Sequence, residues 1–173
     1  DPTLLLDREY YDELCKEKQN SSKYVFVYML EENIELLKDA KQYAEKNKLN
    51  IIYISNISKK SQIILKKYTN AYGATPEEFL SYIKNAECVI TNSFHATVFS
   101  ILYEKKFCTY KTKHSFPRML DLLENLGLSN RIFDCDFKME KDIDYKNAKI
   151  KLNSIRKESF AYLENAIDLI NKN

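Results

Sequence analysis

The chain has 173 residues, 45% of them hydrophobic and 30% charged. That length allows one domain, or one plus an appendage, with enough apolar content for a sizeable core. The net charge is only +2 with the two signs interleaved, which excludes the clustered basic face that nucleic acid or a membrane surface requires. No apolar run approaches the ~20 residues of a membrane-spanning helix, and no signal-peptide pattern opens the sequence. The start, DPTLLLD, lacks an initiator Met and reads as part of a longer protein.

In chain order, residues 8–18 read as a short helix with Asp7 as N-cap. KYVFVYML at 23–30 is β-rich and long enough for a buried strand. Residues 33–47 form a helix with Ile34, Leu37, Ala40, Tyr43 and Ala44 on one face, and NIIYIS at 50–55 is a second buried strand. A helix is expected at 61–68, and NAYG then breaks the chain. Thr75 opens the next helix, with Pro76 in the first helical position and Glu78 completing a capping box. ECVIT at 87–91 is a third strand, 94–104 a helix and FCTY at 107–110 a fourth strand. The helix over 115–127 ends at Gly127. RIF at 131–133 is a fifth, edge strand, 134–144 a polar loop, and 145–170 a long helix whose apolar side is Leu152, Ile155, Phe160, Leu163, Ile167 and Ile170.

Short apolar strands alternating with helices predict an α/β fold: a three-layer, Rossmann-like domain with a mostly parallel sheet covered on both faces. The expected division is 1–144 for that domain, with 1–20 as its leading segment and helix, and 145–173 for a closing helix packed on or beyond it. Cys15, Cys88, Cys108 and Cys135 form no CxxC pair and offer no metal-ligand spacing. Cys88 and Cys108 lie in apolar strands and read as buried, and reduced thiols point to a cytoplasmic setting.

Ligands of such sheets bind beyond the carboxyl ends of the strands. The turn after the first strand, LEEN, has no glycine, and neither Gly73 nor Gly127 lies in a strand-to-helix turn. Dinucleotide and Walker-type phosphate loops are therefore not expected. The turn TNSFH after the third strand is different. Ser93 or Asn92 can cap a helix that Val98, Phe99, Ile101 and Leu102 make apolar, and His95 falls in its first turn, near unpaired N–H groups. On residue pattern alone, this turn is either a cap with a histidine in a polar corner or an anion site. A helix end contributes ~0.3–2 kcal/mol to anion binding, whereas millimolar affinity needs roughly 4 kcal/mol. Basic side chains must therefore converge on it. Lys111, Lys113, His114, Arg118 and Arg131 follow the fourth strand, and arginine is better suited than lysine to bidentate binding of carboxylate or phosphate.

GATPEEFLSYIKNAECVITNSFHATVFSILYEKKF resembles the polysaccharide pyruvyl transferase family, in its C-terminal half. DPTLLLDREYYDEL, PRMLDLLENLGLSNR and SIRKESFAYLENAI are similar to its flanking blocks, so the resemblance spans roughly 1–170. It implies one half of a GT-B-like enzyme that transfers a pyruvyl group from phosphoenolpyruvate to a sugar of a cell-surface polysaccharide or exopolysaccharide. No cofactor or metal is implied. The family's functional histidine maps onto His95, and its downstream basic residues onto Arg118 and Arg131. Asn92, Ser93, Lys111 and His114 complete the candidate substrate-binding set. Two departures stand out: many members carry arginine where this chain has Ser93, and glycine where it has Ala96.

His95 could act as general acid, general base or cationic anion ligand. The resemblance also implies an N-terminal domain, absent from this chain, that holds most of the acceptor site. A closing helix deprived of that domain would expose apolar surface and favour a homodimer. Two alternatives stay open: a nucleotide-sugar glycosyltransferase half with a different donor, and a non-catalytic binding module of the same fold. A response-regulator or flavodoxin pattern is absent after the first strand.

Overall fold

The computed structural model describes residues 1–15, 22–55, 57–112, 116–133 and 142–171. Strands β1 (Tyr24–Tyr28), β2 (Asn50–Ile54), β3 (Thr69–Asn70), β4 (Cys88–Thr91), β5 (Lys106–Tyr110) and β6 (Ile132–Phe133) form one sheet. The order is β3-β2-β1-β4-β5-β6 and every pairing is parallel. Helices α1 (Arg8–Leu14), α2 (Ile34–Lys46), α3 (Lys59–Ile64), α4 (Pro76–Asn85), α5 (Phe94–Leu102), α6 (Phe116–Leu126) and α7 (Tyr145–Asn171) surround it.

Successive strand residues sort to opposite faces, because strand side chains alternate. Val25, Val27, Ile51, Cys88, Ile90, Cys108 and Tyr110 pack with Leu36, Leu37, Ala40 and Ala44 of α2. Tyr24, Phe26, Ile52, Val89 and Phe107 pack on the other face with residues of α4, α5 and α6. The result is the three-layer arrangement expected from strands apolar on both sides.

Local signals explain most boundaries. Thr75 accepts from the Glu78 N–H while the Glu78 carboxylate accepts from the Thr75 N–H, the predicted capping box. Gly127 follows α6 at φ +74°, a left-handed conformation that glycine adopts without a Cβ penalty. Three expectations are corrected. Asp7 makes no side-chain cap bond; its carboxylate instead pairs with Arg156 of α7. The helix expected at 61–68 runs from Lys59 to Ile64, capped by Ser58, whose Oγ accepts from the Ser61 N–H. β3 was not anticipated: it is a two-residue, exposed edge strand with no periodicity to read.

The first turns of α7 bury Ala148 and Leu152. Beyond them Ile155, Phe160, Leu163, Ile167 and Ile170 are exposed, so the predicted apolar side is covered only at its start. Arg156 ties α7 to the leading segment by donating to the carbonyls of Leu4 and Leu6. Most of the 134–144 loop, and Cys135 within it, lies outside the described residues. Among the described residues no helix is long and apolar enough to cross a membrane, and no cluster of His, Cys, Asp or Glu could hold a metal.

Candidate functional site

Strand order reverses between β1 and β4, the two central neighbours that lead in opposite directions across the sheet. In open parallel sheets that reversal leaves a crevice beyond the strands' carboxyl ends. The turns that border it here are LEEN after β1 and TNSFH after β4.

Three residues of TNSFH stitch this rim together. The Thr91 hydroxyl donates to the Tyr28 carbonyl at 2.6 Å and accepts from the Ser93 N–H at 3.0 Å. Asn92, 1% exposed, accepts from the Leu30 N–H at 2.9 Å and donates to the Glu31 carbonyl at 2.6 Å. Its amide thus satisfies two backbone groups of the facing turn. Ser93 is the N-cap of α5, its Oγ accepting from the Ala96 N–H at 3.4 Å. Both candidates are therefore sealed inside the rim, where they shape it.

α5 is buried at seven of its nine positions, as its apolar sequence predicts. Of the other two, Phe99 is half-buried and His95 is exposed, its side chain at 53%. It stands edge-on to the Phe94 ring, with centroids 5.6 Å apart. The Arg118 guanidinium, from α6, lies 3.9 Å from the centroid of that same ring, a cation–π contact that fixes its position. Phe94 thus touches both Arg118 and His95 and joins the N-terminal turns of two helices. Partial burial and the Arg118 charge hold the His95 imidazolium below the usual histidine pKa.

The remaining candidates separate. The Lys111 ammonium lies over the Phe116 ring at 5.3 Å, at the start of α6. His114 and Lys113 lie outside the described residues. Arg131 is not brought to this rim. It is 2% exposed in a 3-10 turn before β6, and its guanidinium donates to the Asp142 carbonyl at 3.4 Å. The Asp142 carboxylate in turn reaches Lys106, the first residue of β5, at 3.5 Å. Arg131 therefore faces the amino ends of the strands, while His95 follows the carboxyl end of β4.

Sequence reading missed one member of the cluster. The Asp1 carboxylate oxygen Oδ2 sits 3.6 Å from His95 Nε2 and 3.6 Å from an Arg118 terminal nitrogen. Nothing in local spacing could reveal a contact across more than ninety residues. A partly open cavity of about 80 Å³ lies elsewhere, lined by Ile101, Leu102, Tyr145, Leu152 and Arg156 at the far end of α5.

The arrangement offers one guanidinium and one titratable imidazole, both open to solvent beside the buried, capped end of α5 at the switch point. That set suits a small carboxylate or phosphate ester. A family model described as polysaccharide pyruvyl transferase matches residues 1–114. No curated protein matches the sequence. Among solved structures, the chain is similar to the glycotransferase of kitacinnamycin at 13% identity and TM-score 0.54, covering 91% of this chain and 45% of that one. It also matches UDP-GlcNAc 2-epimerase from Methanocaldococcus jannaschii at 13% identity and TM-score 0.44, covering 88% and 42%. A third match, E. coli ADP-heptose lps heptosyltransferase II, has 10% identity and TM-score 0.41, covering 89% and 53%. The chain spans about half the length of the solved structures it matches. The first of these supports the expected fold, one half of a GT-B architecture.

Proposed function

The chain belongs to the polysaccharide pyruvyl transferase family, and from that premise we propose that it is the donor-binding half of an enzyme that transfers a pyruvyl group from phosphoenolpyruvate to a sugar. The supporting observation is the convergence of His95 and Arg118, from two helices, on one carboxylate at the sheet's switch point.

Phosphoenolpyruvate carries a carboxylate and a phosphate on one three-carbon frame. Arg118 supplies paired N–H donors for either group. The guanidinium rests over the Phe94 ring, so part of its rotamer freedom is lost before binding. Where many family members have arginine, Ser93 is here a buried cap, and Arg118 supplies the guanidinium from the neighbouring helix instead. In the reaction, one sugar hydroxyl adds to the central carbon of the donor and the methylene carbon gains a proton to become methyl. Phosphate leaves, and a second hydroxyl of the same sugar closes the ketal. The two hydroxyl protons balance the proton taken up at the methyl carbon and the one leaving with phosphate. The exposed His95 ring is placed to carry one of these protons. The acceptor belongs to the second half of the cleft, which this chain does not supply.

The test is ligand-induced thermal shift, with phosphoenolpyruvate against a nucleoside diphosphate. At tenfold excess over Kd a ligand stabilises by about 1.4 kcal/mol, a rise of roughly 3–6 °C for a domain of this size. Stabilisation by phosphoenolpyruvate that Arg118→Ala removes supports the reading. A response to the nucleoside diphosphate alone transfers the site to a nucleotide-sugar donor. In the full-length protein His95→Ala should abolish phosphate release, and undiminished turnover in that variant removes His95 from the chemistry.

A further inference from the structure

Asp1 is built into the site more firmly than a chain-leading residue needs to be. Its side chain is only 14% exposed. Its Oδ1 accepts from the Thr3 N–H at 3.0 Å, capping the 3-10 turn Pro2–Leu4. That turn is pinned twice more. The Tyr11 hydroxyl donates to the Thr3 carbonyl at 2.9 Å, and Arg156 holds the carbonyls of Leu4 and Leu6. With Oδ1 committed to the cap, Oδ2 is left facing His95 Nε2 and Arg118 together.

We propose that Asp1 is a positioning residue for the transfer reaction: its carboxylate holds His95 through Nε2, so that Nδ1 is the ring nitrogen presented to the reacting molecule. The proposal rests on reading this rim as the donor site. Its physical content is a conflict of charges. Arg118 is needed for an anionic donor, yet a guanidinium beside an imidazole discourages the protonated ring, and burial does the same. An imidazole subject only to those effects would be neutral at physiological pH and could give no proton. A carboxylate shared by the ring and the guanidinium, 3.6 Å from each, favours the imidazolium and fixes which nitrogen faces it. The groups facing His95 are the Asp1 carboxylate and the amino group of the same residue, both from the leading segment, and Arg118 from α6.

Asp1→Asn separates this role from a structural one. Asparagine caps a helical turn as well as aspartate does, so the Thr3 bond survives and only the charge is lost. The whole chain is prepared with a short N-terminal extension, so that residue 1 carries no free amino group. The chain has two histidines, and His95→Gln assigns their NMR signals. Asp1→Asn should lower the His95 midpoint by about half to one pH unit, leave the His114 midpoint in place and erase the preference for a proton on Nε2. Asp1→Glu should restore part of the shift. In the full-length enzyme, the pH profile of transfer should move with the His95 midpoint. An unmoved midpoint, or equal movement of both histidines, overturns the proposal whatever the donor is. A selective shift alongside indifference to phosphoenolpyruvate supports the Asp1–His95 coupling and overturns only the donor reading.

Discussion

Asn92→Ala tests whether the rim owes its shape to one buried amide. The substitution removes the acceptor for the Leu30 N–H and the donor to the Glu31 carbonyl, at 2.9 and 2.6 Å. Each such bond contributes about 0.5–1.5 kcal/mol net. A further penalty of about 1–3 kcal/mol applies when the abandoned partner stays buried. Leu30 is 63% exposed and Glu31 is half-buried, so water can reach the freed groups and only a small part of that penalty applies. The expected loss is therefore about 1–3 kcal/mol, or roughly 2–12 °C in Tm for a domain of this length. Urea denaturation gives the stability, and amide exchange gives the location: protection at Leu30 should fall while that at Val89 and Phe107 in the sheet falls only with global stability. Asn92→Asp keeps the acceptor but turns a carboxylate toward the Glu31 carbonyl. Burial raises the folded-state pKa of that carboxyl above its unfolded value. The variant's stability is then fully present below about pH 4 and is lost as pH rises. A loss under ~0.5 kcal/mol for Asn92→Ala, or unchanged exchange at Leu30, would refute the assignment of Asn92 as the staple between the two turns.

Thr75→Ala removes one half of a complete capping box and should cost about 1 kcal/mol in urea denaturation, with no effect on phosphoenolpyruvate binding. Arg156→Ala should release the leading segment. Its charge-assisted bonds to Leu4, Leu6 and Asp7 predict a loss of about 1.5–3 kcal/mol, and limited proteolysis should then cut within residues 1–7. Burial raises the pKa values of Tyr103, Tyr110 and Tyr145 in the folded state. Their contribution is complete below the unfolded tyrosine value of about 10 and is lost as pH rises through it. Urea midpoints should therefore begin to fall at about pH 8.5, where buried Cys88 and Cys108 ionise only on unfolding, and drop more steeply above 10, each tyrosine that ionises only when unfolded adding about 1.4 kcal/mol per pH unit.

The sheet was legible because its strands are written as uninterrupted apolar runs and its helices carry explicit punctuation, as at Thr75 and Gly127. The helix start at Ser58 was harder to see. Its cap partner is another serine, and Ser58 is itself held from outside by Glu32, whose carboxylate accepts from both the Ser58 N–H and its hydroxyl. At the site, His95 and Arg118 could be named from their places after strands three and four. Arg131 looked equivalent in sequence, yet the tight turn after Gly127 carries it to the opposite edge of the sheet. Asp1 was invisible for a different reason. Its role depends on where a 3-10 turn packs against α5, a tertiary fact with no local pattern. Of the two cap candidates Ser93 is the cap; Asn92 caps no helix and instead joins the turns after β1 and β4, which only the facing turn reveals.

The strut from Arg156 to the Leu4 carbonyl spans 152 positions. Closing a loop of that length costs on the order of 4 kcal/mol of chain entropy, while the shorter-range bond from Tyr11 to the Thr3 carbonyl holds a different point of the same turn. During synthesis the leading turn therefore has only its local fastenings until the last helix has emerged from the ribosome. A nascent chain stalled before residue 156 would hold a formed sheet beside an unfinished rim, so competence at this edge arrives late and all at once.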